Sequence, residues 1–362
     1  MTNKSIILYG ILAAGVLVAC RNGDGKLAIN EIVIQEPLCD VAQMRTPEDM
    51  EQVCGSWKFL PIPLSDGSTY ESNITSGGPY KAKIEWNEGE GSGYENLINP
   101  LELGCDAGLI ELGFGEPREL NEEIKDRRGM KYDLYTIFRP AEFKEGELYP
   151  LIVWANGTCG ATHGYAVLLS HLASHGYVVI ASNSTWQATP PTNNVQTRAL
   201  DFAEQLNSDS SSILYQRLDL DRIGAAGHSQ GAGATGTIAS DPRVKALALW
   251  NAGTSAEKPF LNVSGDQDTS ETSPEEMATE TEAAGQPGAW TYYRDILDTG
   301  GSSTGHLVLM LQPDRVVDLN LAWWDYMLKG KPDARNQLIG DSCDFCSSAP
   351  EDYEYGHNTD LQ

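Results

Sequence analysis

Positive charge is scarce in this chain. Its 25 Lys+Arg stand against 51 Asp+Glu over 362 residues, a formal net charge of −26 with histidine neutral. A field of that sign repels phosphate backbones and anionic headgroups, which excludes nucleic-acid binding and basic-patch docking on lipid. The N-terminal apolar run, Ile6–Ala19, is also too short to span a bilayer: it holds fourteen apolar or small residues, and a membrane helix needs about 20. Histidine is limited to six residues, which narrows any search for a general base. What is present suffices for a core. Hydrophobic residues at 41% and eight Trp exclude a disordered chain. At roughly one domain per 150 residues, the length fits one large domain or about two.

The run at Ile6–Ala19 follows a short polar start with Lys4 and has the length of a signal-peptide h-region. Its end, Leu17-Val18-Ala19-Cys20, resembles the bacterial lipobox. That resemblance implies lipidation of Cys20, and a protein anchored in the bacterial cell envelope that faces outside the cytoplasm. Cysteine arithmetic agrees. Without Cys20, six remain: Cys39, Cys54, Cys105, Cys159, Cys343 and Cys346. In an exported chain they read as up to three disulfides, with Cys39–Cys54 the preferred local pair. Cys343-x-x-Cys346 has no second Cys pair and no suitable His partner, so a structural role is expected rather than redox chemistry or zinc.

The order of segments follows from composition. Residues 1–19 read as the signal peptide, 20–35 as a Gly-rich tether, and 36–125 as an N-terminal accessory region with many turn signals and no visible repeat. Residues 126–348 read as the catalytic domain and 349–362 as an acidic tail. Within 126–348, apolar strands are expected at Tyr132–Arg139, Leu151–Ala155, Tyr177–Ala181, Arg222–Ala226, Val244–Trp250, Pro259–Ser264 and Trp290–Leu297. Helices are expected at Tyr165–His175 (closed by Gly176), Asn194–Leu206, after Ser229, and Asp314–Leu328. Buried strands alternating with helices predict an α/β, doubly wound, mostly parallel sheet covered on both faces.

Gly227-His228-Ser229-Gln230-Gly231 is a G-x-S-x-G placed between a strand and a helix, the context a nucleophile elbow requires. Ser229 needs a base to accept its proton. In this fold the order along the chain is Ser, acid, His, and only His306 and His357 lie downstream. His357 falls in the acidic tail. His306 follows the last strand in a glycine-rich loop and is the expected base. Of the two carboxylates in Gly265-Asp266-Gln267-Asp268, Asp268 is preferred, because the loop turns once before reaching the imidazole; Asp266 is expected to stabilise that turn. Oxyanion N–H donors are expected from Gln230 and, in the loop after LIVWA, from Thr158. Trp186, Trp250 and His163 are candidates to line the cleft, and His228 is expected to pack beside the elbow. His171 and His175 are four apart, but no carboxylate interleaves them, so no metal is expected. No cofactor is implied.

These segments resemble the α/β-hydrolase superfamily, specifically its dienelactone-hydrolase-like branch that includes bacterial cutinases and PET hydrolases. The resemblance rests on LIVWANGT, HLASHGYVVIASNST, GHSQG, SGDQD and GGSSTGH, in order, and covers roughly 60% of the chain. It implies Ser229 as nucleophile, Asp268 as acid, His306 as base, and Thr158 and Gln230 at the oxyanion. Two departures bear on substrate. Polyester-degrading relatives carry an aromatic where Thr158 stands and a Trp near the position of Gly253. A short or medium acyl ester, or an aliphatic polyester, is therefore expected ahead of an aromatic one. The rival expectations are a surface binding lipoprotein on the same scaffold, and a triad enzyme acting on lipids or amides.

Overall fold

The computed structural model describes residues 135–157, 162–182, 195–252, 257–266, 268, 273–294, 305–306, 308–340, 343–346 and 352–361; upstream it describes 7–12, 15–21, 27–29, 62–63, 69–70, 78–79 and 82–86. Upstream of residue 82, Ile7–Leu12 pairs antiparallel with Gly15–Arg21, which pairs with Leu27–Ile29, and Ile62–Pro63 pairs with Thr69–Tyr70.

The main body is a nine-stranded sheet. Its strands are β1 (Ala82–Trp86), β2 (Tyr135–Pro140), β3 (Tyr149–Ala155), β4 (Val178–Ser182), β5 (Leu218–His228), β6 (Val244–Trp250), β7 (Phe260–Gly265), β8 (Gly288–Tyr293) and β9 (Tyr353–His357). The order across the sheet is β9-β8-β7-β6-β5-β3-β4-β2-β1. From β4 to β8 all neighbours are parallel, while the flanking pairs β9–β8, β2–β4 and β1–β2 are antiparallel.

Side-chain alternation along the strands divides the core into two layers. Ile152 and Trp154 of β3 join Leu168, Leu169 and Leu172 of α1 (Ala166–Ser174) and Trp323 and Trp324 of α6 (Pro313–Lys329) on one face. Leu151 and Val153 join Ala199, Leu200 and Ala203 of α2 (Val195–Ser208) and Ala232 and Ile238 of α3 (Gln230–Ile238) on the other. A parallel strand buried on both faces has no polar side, which is why LIVWA reads as an unbroken apolar run. Helix α1 stops at Gly176, whose φ of +82° is disfavoured for residues with a Cβ. The remaining helices are α4 (Pro274–Ala283), opened by a Ser273/Glu276 capping box, α5 (Val308–Leu311) and α7 (Pro332–Leu338).

The sheet extends past the expected limits of 126–348 at both ends. Strand β1 lies in the accessory region, and its five residues include Lys83 and Glu85. The C-terminal segment, expected as an acidic tail, supplies β9. The Tyr353 ring packs at a tilt against Tyr293, centroids 5.6 Å apart, and that of Tyr355 against Phe345 at 5.9 Å, so its tyrosines give the strand an apolar side that its acidic composition hides. His357 is half-buried in that strand rather than solvated. Asn358 secures the end: its Oδ1 accepts the Gly288 N–H, and its Nδ2 donates to the carbonyls of Thr281 and Gln286. Cys343 and Cys346 are joined by a disulfide between α7 and β9. Cys39, Cys54, Cys105 and Cys159 lie outside the described residues.

Candidate active site

The site is assembled at the C-terminal ends of the central strands. Strand β5 ends at His228 and α3 begins at Gln230, leaving Ser229 alone on the turn with φ +53° and ψ −119°. That conformation costs a non-glycine residue about 1–3 kcal/mol and is held by its surroundings. The Ser229 N–H donates to the Trp250 carbonyl at 2.7 Å, and its own carbonyl accepts from Ala232 and Gly233. Both flanking glycines are required by space. A Cβ on Gly227 would fall 2.3 Å from the Gly231 carbonyl oxygen, and one on Gly231 would fall 2.1 Å from that of Ala155.

Asp268 and His306 meet as the spacing predicts: Asp268 Oδ1 lies 2.7 Å from His306 Nδ1, with the carboxylate 1% exposed and the imidazole 15%. The other carboxylate oxygen accepts from Asn251 Nδ2 at 2.7 Å and Ser264 Oγ at 3.0 Å. A carboxylate taken this far out of water stays ionised only with such donors around it. Asp266 turns outward to Arg294, which also pairs with Glu354 of β9, and its backbone carbonyl accepts the Gly305 N–H.

Asn251 was not singled out by the sequence. It follows β6 directly, holds φ +58°, and donates through Nδ2 both to Asp268 and, at 3.0 Å, to the Gly305 carbonyl. A polar residue immediately after a buried parallel strand is the signal that would have found it. Tyr165 was missed too, because it reads as one more apolar residue of a helix.

The loop after β3 is tied down at its start. Asn156 Oδ1 accepts from Trp154 Nε1, while its Nδ2 donates to the Ser182 carbonyl and to Thr162 Oγ1. The Gly157 N–H donates to Tyr165 Oη at 2.9 Å. Thr158 and Trp186 lie outside the described residues, as does the side chain of His163, whose backbone forms part of a 3-10 turn at Thr162–Tyr165. Gln230 is the first residue of α3 and half-buried.

Trp250 corrects an expectation. Offered as a cleft residue, it is 0% exposed and packs in the sheet–helix core. As the last residue of β6 it contributes its backbone carbonyl to the elbow. His171 is fully buried, with its ring 4.6 Å from that of His175. His228 does pack beside the elbow: its Nδ1 lies 3.0 Å from Tyr165 Oη and its Nε2 2.7 Å from the His306 carbonyl. Burial and the neighbouring His306 push its pKa down to about 3, so it is neutral at ordinary pH.

A mostly parallel sheet whose fifth strand ends in a G-x-S-x-G turn onto a helix defines the α/β-hydrolase architecture. The comparisons narrow this. The PET hydrolase-like family profile matches residues 130–278. Cutinase 2 of Thermobifida cellulosilytica is 32% identical over 186 residues, covering 48% of this chain and 68% of the relative. Cutinase est1 of Thermobifida alba is 32% identical over 186 residues, with 49% and 59% covered, and cutinase cut1 of Thermobifida fusca 32% over 187, with 48% and 56%. The match therefore takes in less than two thirds of the last two. The chain belongs to the cutinase and PET hydrolase-like family of α/β hydrolases.

Proposed function

We propose that the protein is a carboxylic ester hydrolase working through Ser229, His306 and Asp268. One observation carries the reading: the 2.7 Å Asp268–His306 pair is bound, through the His306 carbonyl, to the residue that precedes the elbow serine. Family membership supports the reaction class.

Asp268 accepts the Nδ1–H of His306, which leaves Nε2 as the free base. Ser229 Oγ attacks the ester carbonyl carbon while His306 Nε2 takes its proton. The carbonyl π pair moves onto oxygen, where the N–H groups of Gln230 and Thr158 receive the charge; one such donor is worth about 3–4 kcal/mol. Collapse expels the alkoxide, which leaves as the alcohol with the proton from His306. Water then repeats the sequence on the acyl-enzyme and frees the acid. Asp268 orients the ring and stabilises its imidazolium without taking the proton. The chemistry uses no metal or organic cofactor.

The substrate is an ester of a short or medium acyl chain, or an aliphatic polyester. Thr158 lacks the aromatic ring with which polyester-degrading relatives clamp an aromatic unit. The enzyme is tethered by lipid on Cys20 and works outside the cytoplasm of a bacterial cell.

The test is hydrolysis of p-nitrophenyl esters from acetyl to palmitoyl by the mature protein beside Ser229→Ala. Turnover that vanishes in the variant and peaks at short or medium chains is expected. A folded wild type without turnover, or a variant as active as wild type, overturns the reading.

A further inference from the structure

Three segments of the chain converge on one buried imidazole, an arrangement that the transfer chemistry does not itself require. His228 Nε2 lies 2.7 Å from the His306 carbonyl. A carbonyl only accepts, so the ring proton is on Nε2 and Nδ1 is the acceptor. Nδ1 therefore accepts a hydrogen bond from the Tyr165 hydroxyl at 3.0 Å. The same hydroxyl oxygen accepts the Gly157 N–H at 2.9 Å. The chain of bonds runs in one direction: Gly157 N–H to Tyr165, Tyr165 O–H to His228, His228 N–H to the His306 backbone.

The surroundings keep that direction fixed. His228 is 3% exposed and Tyr165 1%, so water does not compete for these groups. Burial holds the His228 ring neutral and pushes the Tyr165 hydroxyl well above its ordinary range, which leaves each group a donor toward the next. There is little slack either: a Cβ on Gly157 would fall 2.7 Å from His228 Nδ1. Bonds in such a series polarise one another and rigidify what they join.

We propose that Tyr165 and His228 are positioning residues that lock the loop after β3 to the backbone of His306. The relay has an anchor next to each reacting group: Gly157 precedes Thr158, His228 precedes Ser229, and the last acceptor belongs to His306 itself. Gly157, the residue before the nucleophile and the backbone of the base are thereby held as one unit, which is how a preorganised site lowers a barrier without binding its substrate more tightly. The proposal rests on the ester-hydrolase reading above. It differs from a packing role, in which a ring of the right size serves equally well whatever it donates.

The experiment compares wild type, Tyr165→Phe, His228→Leu, His228→Gln and the double variant Tyr165→Phe/His228→Leu on one activated ester, with thermal unfolding measured alongside. Gln keeps an N–H near the place of Nε2, so it retains the bond to His306. Tyr165→Phe is expected to lower kcat about tenfold with KM changed less than about twofold. His228→Leu should lose about a hundredfold, His228→Gln should recover about tenfold of that, and the double variant should fall no lower than His228→Leu alone. Amide exchange at Gly157, which requires no turnover, should quicken in both Tyr165→Phe and His228→Leu. Multiplicative losses, a Gln variant as poor as Leu, or Gly157 exchange unchanged by His228→Leu would overturn the relay while the esterase stands. A wild type whose hydrolysis does not depend on Ser229 would overturn both.

Discussion

Asn251 offers a stringent test of how the acid and base are held, because its amide and its backbone make separate contributions. The side chain donates from Nδ2 to Asp268 Oδ2 at 2.7 Å and to the Gly305 carbonyl at 3.0 Å, joining the acid to the residue before the base. The first bond is charge-assisted and worth about 1.5–3 kcal/mol; the second is neutral and worth about 0.5–1.5. Asn251→Gly removes both while leaving the +58° φ comfortable. Its expected destabilisation is therefore about 2–4 kcal/mol, with a small further loss from the freer unfolded chain. Asn251→Ala removes the same bonds but, unlike Gly, keeps a Cβ in the left-handed region without an amide to compensate, about 1 kcal/mol more. Urea unfolding followed by Trp fluorescence gives both differences. In ester hydrolysis the two variants should lose about tenfold in kcat with little change in KM, since Ser264 still holds Asp268. If Gly costs less than about 0.5 kcal/mol, the amide is not holding the carboxylate, and the reasoning fails. If Ala and Gly are equal, the backbone at 251 carries no strain.

Two other outcomes follow from the same geometry. The His228 pKa is about 3 folded against 6.5 free, so the unfolded chain binds the extra proton between those values. Its contribution to stability is present above about pH 6.5 and falls by up to about 1.4 kcal/mol per unit as pH drops toward 3. His228→Gln lacks this term, so the stability curves of wild type and variant should converge from about pH 6.5 to about pH 4; parallel curves would refute a buried neutral imidazole. Deleting residues 352–362 removes β9, leaves Arg294 and Arg315 without Glu354 and Asp352, and opens the edge of β8. The truncated protein should lose about 3 kcal/mol or more and associate on size exclusion; a monodisperse product that unfolds like wild type would show that β9 is dispensable.

The chain shows its own plan most clearly where the governing interactions are local. Leu151–Ala155 and Ala246–Trp250 are apolar because both faces of a central parallel strand are covered, a condition that needs no knowledge of the partner strands. Ser229 was legible because an elbow needs glycines at fixed offsets. His306 and Asp268 were legible because the order along the chain leaves few histidines and carboxylates to consider. The flanking strands were not, for the opposite reason. Tyr353–His357 becomes a strand only because the β8 edge lies open beside it, and its acidic residues pair with Arg294 and Arg315 from distant elements.

The same division explains why the burial of Trp250 and the hydrogen-bond partners of His228 were not legible. Trp250 stands at the end of a strand near the elbow, where a cleft residue would also stand, and only the packing of α6 across that face decides that it points into the core. His228 is expected from its place in the motif to pack beside the elbow, but its partners come from residues 63 positions upstream and 78 downstream. Sequence periodicity encodes which side of an element is buried. It does not encode which donor meets which acceptor across the core, and that pairing is where the site gains its rigidity. An elbow, an acid and a base in order are what the motifs encode, whereas the bonds that join their segments come from Asn251, Tyr165 and His228, residues that no catalytic motif requires.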